Sequence, residues 1–241
     1  MKYKVRCSQL ATLLEGCGKV TNKLEWKDLG KFNDSHKALA IEIFNAHNGF
    51  ESNDVDTLDM QAGTENEPFA IQMYDEHFGT NYFDEYVKCR TEKGNKPFEM
   101  SNDYITGTRD FGNDTKTLDC KISTDKNVFY KKKFAPLEFK YIVQLNGYGW
   151  LYNTPELELF NALMNPTEKQ INKMINTKMY VCDLSFEQEQ EYRNKINSSY
   201  FYDFLPLKNR IQVHSVPVIE NFQEIIKARI SKLNDWIEKN L

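Results

Sequence analysis

Residues 105–123, ITGTRDFGNDTKTLDCKIS, read as two short strands joined by a tight turn at Gly112, Asn113 and Asp114. Side chains alternate along a strand, so Leu118, Cys120 and Ile122 share a face that can enter a core. Asp119 and Lys121 then stand together on the opposite face. Asp110 lies nine positions before Asp119, near the end of the first strand, and the hairpin brings it back beside them. Two carboxylates and a lysine meeting at a sheet edge can hold a divalent metal and assist attack of water on a phosphodiester.

The rest of the chain sets the frame for this hairpin. With 241 residues, 40% of them hydrophobic, it can bury one sizeable core. Its formal net charge of −4 argues against indiscriminate coating of nucleic acid, but leaves room for a local basic channel. No apolar run reaches the roughly 18 residues of a membrane span, so no membrane association is expected. The N-terminus, MKYKVRCSQL, lacks the apolar stretch of a signal peptide. Cys7, Cys17, Cys89, Cys120 and Cys182 are scattered without a CxxC pair, which sets aside zinc, iron–sulfur and disulfide frameworks and fits a reducing cytoplasm.

Before the hairpin, Leu10, Leu13, Leu14 and Cys17 have helical spacing, closed by Gly16 and Gly18. Ser8 is the expected N-cap of that helix and also a candidate phosphate contact. Asn33 to His47 reads as a second helix, stopped by Asn48-Gly49, with His47 at its end rather than in a ligand set. Gln61 to Gly79 is a third, with a kink or restart expected near Asn66 because of Pro68. Glu67 would then sit in a first turn, either as a carboxylate favoured by the helix dipole or as a further acid near the metal. Tyr82 to Met100 reads as a strand followed by a turn rich in Lys, Gly and Asn.

After the hairpin, residues 126–140 hold five lysines, including Lys131, Lys132 and Lys133, against the single acid Glu138. Interleaved with Phe129, Tyr130 and Phe134, they form either a DNA-backbone contact loop or a solvated charge run. Lys140 to Tyr152 is a helix that presents Gln144 and Tyr148, four apart, on one face. Glu156 to Leu163, Lys178 to Leu184 and Arg210 to Val216 alternate like strands. Pro166 to Thr177 reads as a short helix capped by Asn165, and Ser185 to Gln188 as a capping box opening another that runs to about Ile196. Val218 to Leu241 is a long amphipathic helix, to pack on the sheet or on another subunit. The expected architecture is one α/β domain over 1–241, a central mixed sheet flanked by helices, with an extra unassigned element at about 165–209.

Four segments in order resemble the PD-(D/E)XK nucleases of the phage lambda exonuclease and YqaJ-type viral recombinase family. They are VRCSQLATLL, AGTENEPFAI with Gly63 and Glu67, GTRDFGNDTKTLDCKIS, and QLNGYGWLY with Gln144 and Tyr148. The resemblance implies a restriction-endonuclease-like core and Mg²⁺ or Mn²⁺ held by Asp110, Asp119 and the Cys120 carbonyl, with Glu67 completing the acidic set. It implies that Lys121 positions or helps activate water, that Gln144 orients Lys121 or the scissile phosphate, and that Tyr148 supports it. Ser8 and Arg6 would contact DNA phosphates. A lysine of ordinary pKa, about 10.4, is a poor base, which favours an electrostatic role for Lys121. The implied activity is a metal-dependent exonuclease on linear double-stranded DNA ends, 5′ to 3′, in phage-type recombination within a bacterial cytoplasm. A ring-shaped homo-trimer and a single-strand annealing protein as partner follow by analogy. Other readings are a PD-(D/E)XK endonuclease, a RecB-like single-strand nuclease, or a non-catalytic DNA-binding protein that keeps the fold.

Overall fold

The computed structural model describes residues 3–17, 23–26, 32–50, 57–93, 98–182 and 185–241. Gly18, the Lys/Gly/Asn turn at 94–97 and the end of the Lys178–Leu184 stretch lie outside them.

The hairpin forms, but its first strand is two strands. β3 (Ile105–Thr108) pairs with β1 (Val5–Arg6) and β2 (Glu99–Ser101) in a three-stranded sheet of order β1-β3-β2. β4 (Phe111–Gly112) and β5 (Lys116–Ser123) belong to a second, four-stranded sheet of order β4-β5-β6-β7, with β6 at Glu156–Leu163 and β7 at Ile211–Ser215. The chain changes sheet at Arg109-Asp110. Arg109 fixes that crossing: its guanidinium lies 4.4 Å from the Tyr152 ring centroid and donates to the Asn113 carbonyl at 2.9 Å. The Arg109 amide also donates to the Tyr152 hydroxyl, which in turn bonds the Phe98 carbonyl. The turn itself depends on Gly112, at φ +145°, where a Cβ would stand 2.3 Å from the Lys116 carbonyl oxygen.

β5 and β6 run parallel and their registers fix which side chains share a face. Asp119 pairs with Leu159 and Lys121 with Asn161, on the side covered by α6 (Phe139–Tyr152) and α9 (Phe222–Asn240). Leu118, Cys120 and Ile122 pack with Phe160 and Ala162 against α3 (Leu58–Phe78) and α4 (Tyr82–Lys93). The alternation expected of the second strand therefore holds. β4 pairs only with Thr117 and Leu118, so β5 has an open edge from Asp119 onward.

Leu10, Leu13, Leu14 and Cys17 are all buried, as their spacing predicts, although the element is only a 3₁₀ turn (Cys7–Gln9) and a short α1 (Leu10–Leu13). Ser8 is not its cap. It lies exposed within the 3₁₀ turn, where the Gln9 side chain accepts from the Arg6 amide instead. α2 (Asp34–His47) begins at Asn33, whose side chain accepts from the His36 amide. α3 runs through Pro68 without restarting, because it is capped earlier, at Thr57, and buries Ala62 on one side of the proline and Ala70, Ile71, Met73 and Tyr74 on the other. Glu67 is therefore in mid-helix and not in a first turn. The long helix α9 buries Ile226, Ile230, Leu233 and Ile237 within this chain's own core.

Three further readings change. Residues 82–93 form α4 and not a strand, since Asp75 at the end of α3 accepts from the amides of Tyr82 and Phe83 and caps a new helix. The lysine run lies not on a loop but on α5 (Lys126–Lys132), whose first amides donate to Asp125. The alternating residues 178–182 continue α7 (Glu168–Cys182), and Thr167 with Gln170, not Asn165, makes the reciprocal bonds at its start. Asn165 instead ties to Asp203 and Tyr202. With α8 (Phe186–Tyr200), opened by the Ser185 capping box, α7 makes a helical hairpin that accounts for most of 165–209. It joins α3 through Lys169–Glu65 and Gln170–Asp59 contacts. Among the described residues no helix is long and apolar enough to cross a membrane.

Candidate active site

At the open edge of β5 four sequence-predicted residues meet. Asp110, just past the sheet crossing, accepts from the Cys120 amide at 2.6 Å, taking the ladder position that β4 is too short to fill. Asp119 is 1% exposed, a severe burial for a carboxylate. Gln144 Nε2 donates to Asp119 Oδ1 at 3.1 Å and to the Tyr148 hydroxyl at 2.8 Å. Lys121 Nζ lies 2.5 Å from Asp119 Oδ2. The ammonium is thus the partner of Oδ2, and the Gln144 amide that of Oδ1. The amide of Gln144 thus bonds Asp119, the partner of Lys121.

Glu67 approaches from the α3 side of the sheet. The Tyr86 hydroxyl hydrogen-bonds it, and Arg90 Nη1 donates to that hydroxyl at 2.6 Å. Tyr86 and Arg90 are one helical turn apart on α4, so the strand reading of this segment hid them. Their spacing, with Tyr82 four before Tyr86, was the available signal.

The charges are out of balance. Burial, then the neighbouring Asp119 and Glu67 carboxylates, push Asp110 well above the usual carboxylate range. Burial also raises Glu67, against the Tyr86 hydroxyl and the Arg90 and Lys121 charges. Burial works against a charged Lys121, but Asp119 and Asp110 outweigh it and hold the ammonium above its ordinary value. Lys121 is thereby a fixed positive charge and a poor base. Burial and Asp110 raise the Cys120 thiol, so this residue offers a carbonyl and no thiolate.

Among the described residues no three His, Cys, Asp or Glu side chains converge closely enough to enclose a metal by themselves. The set nonetheless suits a hard divalent cation. Its donors are all oxygen, and three carboxylates, Asp110, Asp119 and Glu67, act on the single ammonium of Lys121.

The remaining candidates lie elsewhere. Arg6 lines a separate cavity with Lys4, Gln9 and Glu42. Ser8 makes no bond to the cluster, although neighbouring Cys7 packs beside Gly107 and Gly147, leaving no room for a Cβ at either. Of the lysine run, Lys132 is half-buried, reaches Ser123 Oγ and lies within electrostatic range of Lys121. Lys131 and Lys133 are exposed on other sides of α5, as steps of about 100° per residue require.

Mixed sheets flanked by helices, with Asp119 and Lys121 on the half-paired β5 and Asp110 beside it, form the restriction-endonuclease-like core expected from the sequence. The chain is similar over almost its whole length to solved exonucleases. A phage-related exonuclease from Haemophilus somnus 129PT matches with a TM-score of 0.68 at 18% identity, over 99% of this chain and 95% of that one. The alkaline exonuclease LHK-Exo from Laribacter hongkongensis matches with a TM-score of 0.58 at 14% identity, over 98% and 90%. LHK-Exo in complex with dAMP gives 0.60 at 12%, over 98% and 88%. No protein-family model and no curated protein matches the sequence.

Proposed function

We propose that this chain is a divalent-metal-dependent deoxyribonuclease that degrades linear double-stranded DNA from its ends. The observation that carries the reading is the Asp110–Asp119–Lys121–Gln144 cluster on the unpaired edge of β5. The full-length likeness to exonucleases supports it. Asp110, Asp119 and the Cys120 carbonyl are the proposed ligands of Mg²⁺ or Mn²⁺, with Glu67 reaching the site through water. Such a cation supplies positive charge against the phosphate and lowers the pKa of water.

The chain's own groups do the rest. Gln144 holds Asp119 in one rotamer, and the Cys120 amide does the same for Asp110. Lys121, kept protonated, places a positive charge beside the phosphate oxygens as negative charge develops on them. Tyr86 and Arg90 position Glu67. Lys132, with Lys131 and Lys133 farther out, engages the DNA backbone, and Ser8 and Arg6 are proposed as outlying phosphate contacts. The same reading carries a single nuclease domain over 1–241, 5′ to 3′ polarity, a ring-shaped trimer and a single-strand annealing partner.

The test is digestion of linear against covalently closed circular duplex DNA, with Mg²⁺ and with EDTA. The reading expects loss of linear DNA in Mg²⁺ alone and intact circles. Cutting of circles selects an endonuclease, digestion of single strands alone a RecB-like nuclease, and DNA binding without metal binding or turnover a non-catalytic protein.

A further inference from the structure

The α7–α8 hairpin takes no part in the cluster described above, but two cavities lie between the end of β5 and its helices. One, of about 280 Å³, lies between α3, the end of β5 and α5, and is lined by Gly63, Ile122, Ser123, Asp125 and Lys132. Its lining begins at Ile122, the residue after Lys121. The other, of about 440 Å³, lies between α5 and α8 and is lined by Asp125, Lys126, Tyr192, Lys195 and Tyr200. Asp125 walls both, so the two follow one another along α5, away from the catalytic cluster.

The path is aromatic toward α8, and its three lysines stand against two acids, Asp59, which accepts from Gln170, and Asp125. Lys132, Lys126 and Lys195 succeed one another. Among the described residues neither Lys126 nor Lys195 has a carboxylate within ion-pair distance. Asp125 is occupied as the cap of α5, accepting from the amides of Asn127 and Val128. The hydroxyl of Tyr202 is spent on the Thr124 carbonyl, which anchors the hairpin to the end of β5. Tyr192 and Tyr200 keep partly exposed rings. Lysines alternating with tyrosine faces are what a flexible strand needs, phosphates on the cations and bases on the rings. Each cavity has the size of a small-ligand site, which admits nucleotides of one strand in turn and not a duplex.

We propose that the path along α5 and the α7–α8 hairpin is a binding site for single-stranded DNA, with Lys126 and Lys195 on phosphates and Tyr192 and Tyr200 under bases. It rests on the nuclease reading for the source of the strand, which is the substrate itself as its duplex is opened.

The test is fluorescence anisotropy of labelled oligo(dT) and of a blunt duplex of equal length, on the full chain in EDTA so that nothing is cut. Lys126→Ala/Lys195→Ala should lower the slope of log affinity against log salt for oligo(dT) by up to about 1.4, at roughly 0.7 per single-strand phosphate contact. Tyr192→Ala should weaken oligo(dT) binding about tenfold, and Tyr192→Phe should restore it. The blunt duplex should be affected less by each. Unchanged slope and affinity for oligo(dT) overturn the proposal, as does an equal loss for duplex and single strand. Nuclease activity is read separately in Mg²⁺. Turnover with unaltered oligo(dT) binding removes this site and leaves the enzyme, whereas the predicted binding losses without turnover remove the enzyme and leave the site.

Discussion

Replacing Gln144 by Leu removes the amide hydrogen bond to Oδ1 of the buried Asp119 carboxylate and leaves the Lys121 ion pair at Oδ2. Gln144 Nε2 is the donor to Oδ1, and the Lys121 ammonium is the partner of Oδ2. Leu keeps the volume and the helix propensity of the side chain but removes the amide. A hydrogen bond to a charged group contributes about 1.5–3 kcal/mol, and the carboxylate cannot turn to water for a substitute. If that grip keeps Asp119 in its reactive rotamer, the same energy appears in the barrier, about 10–100-fold in kcat/KM. The metal concentration for half-maximal activity should rise with it, because a carboxylate free to swing is a worse ligand. Tyr148→Phe is the control. It removes an acceptor from Gln144 without touching Asp119, and should cost less than Gln144→Leu. The assay is initial-rate hydrolysis of linear duplex across a Mg²⁺ titration, beside metal binding followed by calorimetry. A Gln144→Leu protein within twofold of wild type in rate and metal requirement would show that the amide does not hold Asp119.

Asp119→Ala should abolish hydrolysis and leave DNA binding largely intact, whereas Lys121→Ala should lose about 10²-fold or more while still binding metal; calorimetry and rates separate the two. Gly112→Ala sets a methyl group against the Lys116 carbonyl, and thermal melting should fall by several degrees for a strain of about 1–3 kcal/mol. Lys132→Ala should lower the salt slope of oligo(dT) binding by about 0.7, more than Lys131→Ala or Lys133→Ala, since Lys132 alone of the three faces the cavity beside β5. Asp110 and Glu67 have raised folded pKa values, so their contribution to stability is full below the unfolded carboxylate range and is lost as pH rises through the shifted values. Melting of the metal-free protein should therefore fall over that rise, and Mg²⁺ should restore it increasingly with pH; an Mg²⁺ effect independent of pH would contradict this.

The elements legible in the sequence are those whose faces are set locally. α2, α6, α9, β6 and β7 each follow their own apolar period, and Gln144 and Tyr148 share a face because four residues nearly complete a turn. Asp110, Asp119 and Lys121 were readable for the same reason, as a turn and an alternation place them. What escaped depends on distant partners. Residues 82–93 are rich in aromatics that suit a strand, and only the Asp75 carboxylate from the preceding helix makes them α4. Nothing near Arg109 announces the change of sheet, which is made by Tyr152, more than forty residues on. Tyr86 and Arg90 could not be joined to Glu67 until that helix was known. Pro68 forecast a break that burial on both sides of it overrode.

The unpaired edge of β5 has a consequence for solubility. An exposed strand edge is a template for a second chain, and it is safe only when charge or geometry discourages pairing. Here Asp110 occupies the Cys120 amide, and Lys121 projects beside it. The residues proposed for catalysis are thus the ones that keep the edge from accepting a neighbour's strand. Exchanging Asp110 for alanine frees that amide along with removing a carboxylate, and invites association through the bared strand. Asparagine in its place keeps an acceptor for the amide, so an inactive protein meant to stay monodisperse is better made with Asp110→Asn.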